Sequence, residues 1–265
     1  MIITSKDNEQ IKEIKKLKEK KFRKEESSFL VEGVKLVKEA ITYNANIKKI
    51  VISEDAIGYE VDEELIKLCE KYNPLIVSPN VFSVVSDVQT PQGILAVIKI
   101  DEDKDGEKNN KKEIDYSQDF FVVLDGIQDP GNLGTIIRTC DAAGITQVIV
   151  SEDTVDCYSP KVIRSTMGGI YRVNVVEADL KEVFKDFQVR GIKTVVTSLE
   201  GTESIYDLDF KKKAVVIGNE ANGVDIDLQN MADKKVKIPM PGKAESLNAS
   251  VAASIMIYEY VRQSL

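Results

Sequence analysis

Six short apolar runs alternate with helix-like segments between residues 119 and 265, and this pattern limits the possible folds more than any other feature. The runs are FFVVLDGI, QVIVS, VNVV, KTVVTSL, AVVIGNE and KVKIPM. Strands that are apolar at nearly every position are typical of a parallel sheet that is buried on both faces. The sequence therefore predicts a doubly wound α/β sheet, a class of fold whose ligands bind at the carboxyl ends of the strands.

A polar stretch precedes this region. Residues 101–118, DEDKDGEKNNKKEIDYSQ, contain almost no apolar side chains and many charged ones, which predicts a linker between residues 1–100 and residues 119–265. In the first part, SSFLVEG, IKKIVIS, LIVSP and GILAVIKI are predicted strands with helices between them. We therefore expect a smaller α/β domain there. It contains no catalytic constellation, and we interpret it as a docking module.

The first helix predicted in this smaller domain is strongly basic. The run from Ile11 to Lys24 carries eight basic and two acidic residues, in a chain whose net charge is −8. Such a segment is a candidate nucleic-acid-binding arm, while a solvated helix face is the alternative, and the sequence leaves both open. The candidate RNA-binding residues are Lys15, Lys16, Lys20, Lys21, Arg23 and Lys24.

Composition argues against several kinds of site. The chain has no histidine, the commonest general base and metal ligand, and its three cysteines are scattered through apolar patterns. We therefore expect no metal, and reduced thiols at Cys69, Cys140 and Cys157. No run approaches the ~18 apolar residues of a membrane span, and the N-terminus lacks a signal-peptide pattern. These observations predict a cytoplasmic protein with no membrane partner.

The stretch LDGIQDPGNLGTIIRTCDAAG is the first of three candidate site segments. Asp129 can cap a helix that has Pro130 at its first position. Asn132 lies on the polar face of that helix, and Arg138 lies away from its apolar stripe. The alternative is that Arg138 is a solvated surface residue and Asn132 only a helix-start residue. A dinucleotide site is a weaker interpretation, because the G-x-G-x-x-G spacing is not kept.

Two further segments end predicted strands. In VVIGNEANGVD, an apolar strand leads into Gly218 and Glu220, which places a carboxylate at the end of a strand; an Asn-Gly turn with an exposed glutamate is the alternative. In IPMPGKAESLN, a strand and a Pro/Gly loop lead into a helix whose first turn is predicted to hold Ser246 and Asn248. That helix is apolar enough to predict burial, and helix capping is the alternative role for these two residues.

Taken together, the three segments resemble the SpoU/TrmH group of the SPOUT RNA methyltransferases. NLGTIIRT looks like the first motif of that group, IGNEANGVD like the second, and IPMPGKAESLNASVAASIMIYE like the third. The N-terminal part is similar in pattern to the group's L30e/L7Ae-like substrate-binding domain, particularly in FLVEGVKLVKEA. The resemblance covers most of the chain.

The resemblance implies an α/β fold in which the C-terminal parallel sheet contains a deep trefoil knot, an exception to the rule against threaded chains. It implies S-adenosylmethionine as methyl donor, S-adenosylhomocysteine as product, and a homodimer that shares its active sites. The implied reaction is methylation of a ribose 2′-hydroxyl in structured RNA. We expect 23S ribosomal RNA because of the separate N-terminal domain, with tRNA as the alternative.

The same resemblance assigns the site residues. The catalytic candidates are Arg138, Asn132, Glu220, Ser246 and Asn248. The cofactor-binding candidates are Thr197, Ser198, Leu199, Gly201, Gly218, Asn219, Glu220, Ile238, Met240, Ser246 and Leu247. Arg138 is interpreted either as the base or base-partner or as an anchor for the target phosphate, since a guanidinium stays charged at accessible pH.

Two functions of other classes remain as alternatives. One is a non-catalytic RNA-binding protein on the same fold, against which the complete set of motif residues argues. The other is a nucleotide-dependent oxidoreductase built on the first strand, turn and helix of the C-terminal region, which should bind NAD and not S-adenosylmethionine.

Overall fold

The computed structural model describes residues 2–100 and 113–265, which form two compact units. The first unit contains the described residues up to 100 together with Tyr158–Tyr171, and the second contains residues 113–157 and Arg172–Leu265. Most of the predicted linker, residues 101–112, lies outside the described residues. A single boundary at 101–118 does not account for Tyr158–Tyr171, which lies within the C-terminal sequence but belongs to the first unit.

Strands and helices alternate along the chain, as the sequence predicts. The strands are β1 (Ile2–Ile3), β2 (Ser28–Glu32), β3 (Ile47–Ser53), β4 (Leu75–Val77), β5 (Ile94–Lys99), β6 (Phe120–Leu124), β7 (Gln147–Val150), β8 (Asn174–Glu177), β9 (Lys193–Thr197), β10 (Glu203–Ser204), β11 (Lys213–Ile217) and β12 (Lys234–Lys237). The helices are α1 (Glu9–Lys16), α2 (Lys20–Glu25), α3 (Val34–Thr42), α4 (Glu63–Glu70), α5 (Pro79–Val85), α6 (Pro130–Ala142), α7 (Pro160–Thr166), α8 (Leu180–Arg190), α9 (Ile226–Met231) and α10 (Ala249–Ser264).

The first unit is built on a mixed five-stranded sheet of order β1-β4-β3-β5-β2. Strand β4 runs parallel to β1 and β3, whereas β5 runs antiparallel to β3 and β2. The four strands predicted here are confirmed; β1 has two residues and is too short to carry a pattern. Helix α7 packs on β2, and its Ile163 is buried in the same core as Phe29 and Val31.

The basic run forms two helices and not one. Helix α1 ends at Lys16, and α2 begins at Lys20. The Arg23 side chain is only 5% exposed, and its Nη1 donates hydrogen bonds to the carbonyls of Leu17 (2.8 Å) and Lys18 (2.7 Å) at the end of α1. The prediction that Arg23 contacts RNA is therefore corrected, because its guanidinium pairs with the carbonyl groups left free where a helix ends.

The second unit contains a seven-stranded sheet of order β10-β12-β9-β11-β6-β7-β8, and all of its strand pairs are parallel. The six strands predicted from the apolar runs are confirmed, as is the α/β class. The two-residue β10 was not predicted. Phe121, Val123, Val196 and Val216 on the central strands are buried in one core, which explains why these runs are apolar at nearly every position.

The described residues bear on three further predictions. All three cysteines are free thiols, and burial raises the pKa of the Cys69 thiol to about 11. Within residues 2–100 and 113–265, no group of three or more His, Cys, Asp or Glu side chains is arranged to hold a metal ion. Across the same ranges, no helix is both long enough and apolar enough to cross a membrane.

Candidate active site

Three loops of the second unit begin at the same edge of its sheet. Strands β12, β9, β11 and β6 are neighbours in that order and all run parallel, so their carboxyl ends lie side by side. The loops after β9, β11 and β12 begin at Ser198, Gly218 and Ile238, and β6 is followed by the turn into α6. The sequence places all three motifs at these ends, where ligands of a parallel sheet bind.

A chain of side-chain hydrogen bonds joins one residue from each motif. The Asn248 Nδ2 donates to the Asn132 Oδ1 at 2.9 Å, and the Asn132 Nδ2 donates to the Glu220 Oε1 at 2.9 Å. We call these three side chains the motif centre. Asn132 is 8% exposed, so its amide belongs to the interior of the unit and not to a solvated helix face.

The Glu220 carboxylate also closes the start of α6. Its two oxygens accept hydrogen bonds from the backbone N–H groups of Gln128 and Asp129, each at 3.2 Å. Partial burial alone raises the pKa of this carboxyl, but the hydrogen bonds from Asn132 and from the backbone outweigh it and lower the pKa. Glu220 is therefore an ionised acceptor whose oxygens are occupied, and it is poorly suited to remove a proton from a substrate.

This contact also explains why a dinucleotide does not fit at β6, the following turn and the start of α6. In a dinucleotide-binding fold, the start of the first helix receives the pyrophosphate through backbone N–H groups and the helix dipole. Here the Glu220 carboxylate accepts the N–H groups of Gln128 and Asp129 just ahead of α6. The Asp129 side chain accepts from the N–H of Asn132 at 2.9 Å. The protein supplies its own anions at the position where such a ligand would bind.

The Asn-Gly turn predicted as the alternative for the second motif is present beside Glu220. Asn219 and Gly223 exchange backbone hydrogen bonds of 2.9 Å, and the Asn219 Nδ2 donates to the Gly126 carbonyl at 2.7 Å. A Cβ at Gly218 would lie 2.1 Å from the carbonyl carbon of Gly223 and from the nitrogen of Val224. Gly218 is thus required by contact between two backbone segments, whether or not a ligand also approaches it.

Gly201 has a similar reason to be glycine. A Cβ there would lie 2.5 Å from the carbonyl carbon of Val236 on β12. In the same loop, the Ser198 N–H donates to the Val236 carbonyl at 2.9 Å, while the neighbouring Leu199 side chain is 68% exposed. The loop after β9 therefore lies directly against β12 and presents an apolar side chain to solvent. The Thr197 hydroxyl donates to the Val216 carbonyl at 3.1 Å.

The start of α10 differs from the prediction. The helix begins at Ala249, and the Asn248 side chain is its N-cap, accepting from the N–H groups of Ser250 (2.9 Å) and Val251 (3.3 Å). Ser246 lies two residues before this cap and is exposed, so its placement in the first helical turn is wrong. Asn248 both caps the helix, as the alternative proposed, and belongs to the motif centre. The expected burial of α10 is only partly correct, since Val251 and Tyr258 are 46% and 51% exposed.

Residues 239–247, which we call the third-motif loop, contrast with the motif centre. None of their backbone or side-chain groups forms a hydrogen bond or ion pair with another described residue. Unpaired N–H and carbonyl groups need partners from solvent or a ligand. Together with the exposed Leu199, these groups fit a ligand that is bound largely through backbone contacts and carries an apolar portion, as the cofactor candidates predicted from sequence require.

Arg138 is not connected to the motif centre. It lies on the exposed side of α6 and forms no hydrogen bond or ion pair with any described residue. The structure therefore brings together Asn132, Glu220 and Asn248, but it leaves Arg138 and Ser246 with free polar groups.

Sequence reasoning missed several polar residues that support these loops. Asp125 follows β6 directly, and its Oδ2 accepts the Asp225 N–H at 2.7 Å. Burial raises the pKa of Asp125, and the nearby carboxylates of Asp153 and Asp225 add to the effect against the opposing backbone hydrogen bond. Ser151 accepts the Gly126 N–H at 2.8 Å. The position of Asp125 at the end of a strand was the available signal, whereas nothing in the sequence around Ser151 distinguishes it.

The sequence profile of the SpoU rRNA methylase family matches residues 119–258, which is more than half of the chain. The chain belongs to the SpoU rRNA methylase family. The profile of the MRM3-like substrate binding domain matches residues 8–96, within the first unit. The resemblance of the three motifs and of the N-terminal domain is thereby confirmed.

Relatives of the family extend over the whole chain. The 23S rRNA (guanosine(2553)-2′-O)-methyltransferase RlmP of Bacillus subtilis is 33% identical over 257 residues, which are 97% of each chain. The AdoMet-bound rRNA methyltransferase of Sinorhizobium meliloti superposes with a TM-score of 0.84 at 30% identity, covering 100% of this chain and 98% of the other. A structure described by the 2-OH methylation of C/U34 on tRNA superposes with a TM-score of 0.51 at 28% identity, covering 55% of this chain and 95% of the other.

Proposed function

We propose that this member of the SpoU rRNA methylase family transfers a methyl group from S-adenosylmethionine to a ribose 2′-hydroxyl of 23S ribosomal RNA. The observation that carries the proposal is the motif centre, in which Asn132, Glu220 and Asn248 of the three motifs are joined by hydrogen bonds at the ligand-binding edge of the sheet. This connection brings residues of all three motifs to one place, as a shared site requires.

Ribosomal RNA is favoured over tRNA because of the extent of the similarities. The Bacillus relative named for 23S rRNA matches 97% of this chain, including the first unit. The neighbour described for tRNA matches 55% of it. The first unit, which matches a substrate-binding domain, is part of the match to the Bacillus relative.

The methyl donor would be held by the loops after β9, β11 and β12. S-adenosylmethionine supplies an electrophilic methyl group on a positively charged sulfur. The residues proposed to contact it are Thr197, Ser198, Leu199, Gly201, Gly218, Asn219, Glu220, Ile238, Met240, Ser246 and Leu247. The unpaired backbone groups of the third-motif loop and the exposed Leu199 support this assignment. The fixed turn from Asn219 to Gly223 holds the second motif in place beside them.

The other site residues have two different roles, holding the motif loops and binding the RNA. Glu220, Asn132 and Asn248 hold the motif loops, because their polar atoms are occupied by one another and by backbone groups. Arg138 is exposed and unpaired among the described residues. Its permanently charged guanidinium suits the phosphate beside the target ribose, and it would stabilise negative charge that develops on the 2′-oxygen. We therefore favour phosphate anchoring over a role as base.

The homodimer and the trefoil knot are part of the proposal. Val251 and Tyr258 are exposed apolar residues seven positions apart on α10, so they lie on one face of that helix. This face supports contact with a second copy of the chain. Strand β12 lies between β9 and β10, which are consecutive in the chain, and this order supports a threaded arrangement.

The proposed ribosomal substrate would place the enzyme in the cytoplasm. Within the first unit, we propose that exposed lysines bind the RNA. Residues Lys15, Lys16, Lys20, Lys21 and Lys24 are exposed on α1 and α2, so their charges are available to phosphates.

Mapping of 2′-O-methyl groups tests the function directly. Ribosomal and transfer RNA from cells with and without the protein would be compared, and purified protein with S-adenosylmethionine would be added to RNA from the deficient cells. We expect one 23S position to lose its methyl group and to regain it in vitro. Loss of a tRNA modification instead, or no loss at all, would contradict the proposal.

A further inference from the structure

Ser250 lies directly behind the motif centre and was not among the predicted site residues. It is the second residue of α10 and is 7% exposed. Its hydroxyl donates to the Asn248 Oδ1 at 2.7 Å. The same oxygen accepts the backbone N–H groups of Ser250 and Val251. Three hydrogen-bond donors thus converge on one oxygen of Asn248.

These donors determine which way the Asn248 amide faces. Because Oδ1 points at three donors, the Nδ2 group must point away from them, toward the Asn132 Oδ1 at 2.9 Å. A rotated amide would place its own N–H groups against the backbone N–H groups of Ser250 and Val251, which can only donate. Asn132 is then fixed as well, since its Oδ1 accepts from Asn248 and its Nδ2 must donate to Glu220. The same directions are required at the other end, because the Glu220 carboxylate can only accept from Asn132.

We infer that Ser250 is a positioning residue for methyl transfer, whose hydroxyl holds the Asn248 amide in the orientation that connects it, through Asn132, to Glu220. The inference rests on the proposed function. Asn248 is the residue that follows the third-motif loop, so the Ser250 hydroxyl also fixes where that loop joins α10. Ser250 acts through other side chains, and we assign it no contact with RNA or with the methyl donor.

A simpler role, in which Ser250 only stabilises the start of α10, makes a different prediction. In that case the effects of changing Ser250 and Glu220 are independent, because the two side chains share no hydrogen bond and are linked only through Asn248 and Asn132. Effects of independent sites multiply, whereas members of one network show coupling. Coupling between the two ends of the chain of bonds therefore distinguishes the two roles.

The experiment is a double-mutant cycle on the full chain, with Ser250→Ala, Glu220→Gln and the double variant. The dissociation constant of S-adenosylmethionine is measured by calorimetry, and kcat on the RNA by methyl incorporation. We expect Ser250→Ala to weaken binding of S-adenosylmethionine by about 3- to 10-fold, the effect of one buried hydrogen bond. The double variant should be weaker than Glu220→Gln alone by less than a factor of about 2. Fold-changes that multiply would overturn the inference.

A matched pair keeps the test valid if Ser250→Ala does not fold. Ser250→Thr and Ser250→Val have nearly the same shape and differ in the hydroxyl group. We expect the threonine variant to bind S-adenosylmethionine more tightly than the valine variant by about 3-fold or more; equal affinities would overturn the inference. The control is Ser254→Ala, one turn further along α10, whose hydroxyl donates to the Ser250 carbonyl at 2.7 Å, lies 3.2 Å from the Thr139 hydroxyl and is outside the chain of bonds. Its affinity should stay within about 2-fold of the wild type.

Failure of the proposed function can be recognised separately. If the wild-type chain neither binds S-adenosylmethionine nor methylates RNA, the proposed function is wrong, and the same cycle is read from the free energy of unfolding in denaturant. Coupling between Ser250 and Glu220 in unfolding would still support the chain of bonds as a network that holds the motif loops, without a role in methyl transfer. Additive effects on unfolding would overturn it.

Discussion

The motif centre and the third-motif loop lie at the same edge of the same sheet, yet the polar groups of the first are hydrogen-bonded within the protein and those of the second are not. Asn132, Glu220 and Asn248 have their side-chain polar atoms paired with one another or with backbone groups. Residues 239–247 form no hydrogen bond or ion pair with another described residue. The motifs therefore contain two kinds of residue, those that hold the loops and those whose polar groups remain for ligands, and Arg138 belongs with the second kind.

The largest effect is expected at Arg138, which has a free polar group and no structural partner among the described residues. Arg138→Ala should lower kcat at least about 100-fold, the cost of removing one donor that stabilises charge in the transition state. The dissociation constant of S-adenosylmethionine, measured by calorimetry, should change by less than about 2-fold, and the unfolding midpoint should stay that of the wild type.

The matched variant is Arg138→Lys, which keeps the charge but loses the planar fork of donors. We expect an activity between those of the wild type and Arg138→Ala. If Arg138→Ala instead lowers the unfolding midpoint by several degrees, Arg138 belongs with the residues that hold the structure, and the comparison above fails for it.

Charge reversal on α2 tests the same distinction in the first unit. Lys20→Glu, Lys21→Glu and Lys24→Glu combined should weaken RNA binding by roughly 30-fold, and the salt dependence of binding should fall by roughly 0.7 in slope for each phosphate that the variant no longer binds. Binding of S-adenosylmethionine should not change. Deleting the whole segment is a poorer test, because Ile11 and Ile14 of α1 are buried in the core.

The contrasting substitution is Arg23→Ala in the same helix. Its guanidinium is buried against the carbonyls of Leu17 and Lys18, so the variant should lose about 1–3 kcal/mol of unfolding free energy. RNA affinity measured well below its unfolding midpoint should remain close to wild type. A triple lysine variant that binds RNA as the wild type does would reduce α2 to a solvated helix face.

Two glycines compare a fixed loop with the unpaired one. A Cβ at Gly218 would lie 2.1 Å from backbone atoms of the neighbouring segment, whereas a Cβ at Gly242 meets no atom within 4 Å. Gly218→Ala should therefore cost about 1–3 kcal/mol of unfolding free energy, the usual cost of forcing atoms into packed surroundings. Gly242→Ala should cost less than about 0.5 kcal/mol. Denaturant unfolding measures both, and equal costs would show that the two loops are constrained alike.

The sequence predicted the elements well because their signals are local. Each of the six apolar runs of the second unit became a parallel strand, and Asp129 caps α6 with Pro130 at its first position. The placement of Tyr158–Tyr171 in the first unit could not be predicted, since Ile163 is apolar in either environment and only the tertiary packing decides which core it joins.

The sequence predicted which residues belong to the site, but not the hydrogen bonds that join them. The motif pattern placed Asn132, Glu220 and Asn248 at the ends of elements, but it could not show that their amides and carboxylate bond to one another across 88 and 116 residues of sequence. The sequence also could not show that Arg23 is buried while the lysines around it are exposed. The Arg23 guanidinium points inward because α1 ends beside it and leaves carbonyl groups to be paired.

The smallest effect is expected at Glu220 and depends on pH. Glu220→Gln keeps the size of the side chain but sets an amide N–H against the N–H groups of Gln128 or Asp129, and we expect a loss of roughly 1 kcal/mol of unfolding free energy after allowance for solvent exposure.

The folded state lowers the pKa of the Glu220 carboxyl below its ordinary value of 4.5. The stabilisation is therefore fully present above that pH and is lost as the pH falls through the folded-state pKa. The difference in unfolding free energy between wild type and variant should be constant above about pH 5 and shrink below pH 4.5. Glu245→Gln in the third-motif loop is the control and should stay within about 0.5 kcal/mol of the wild type at neutral pH. A Glu220 difference that grows toward acid would mean that the carboxylate is destabilised in the folded protein and does not hold the motif centre.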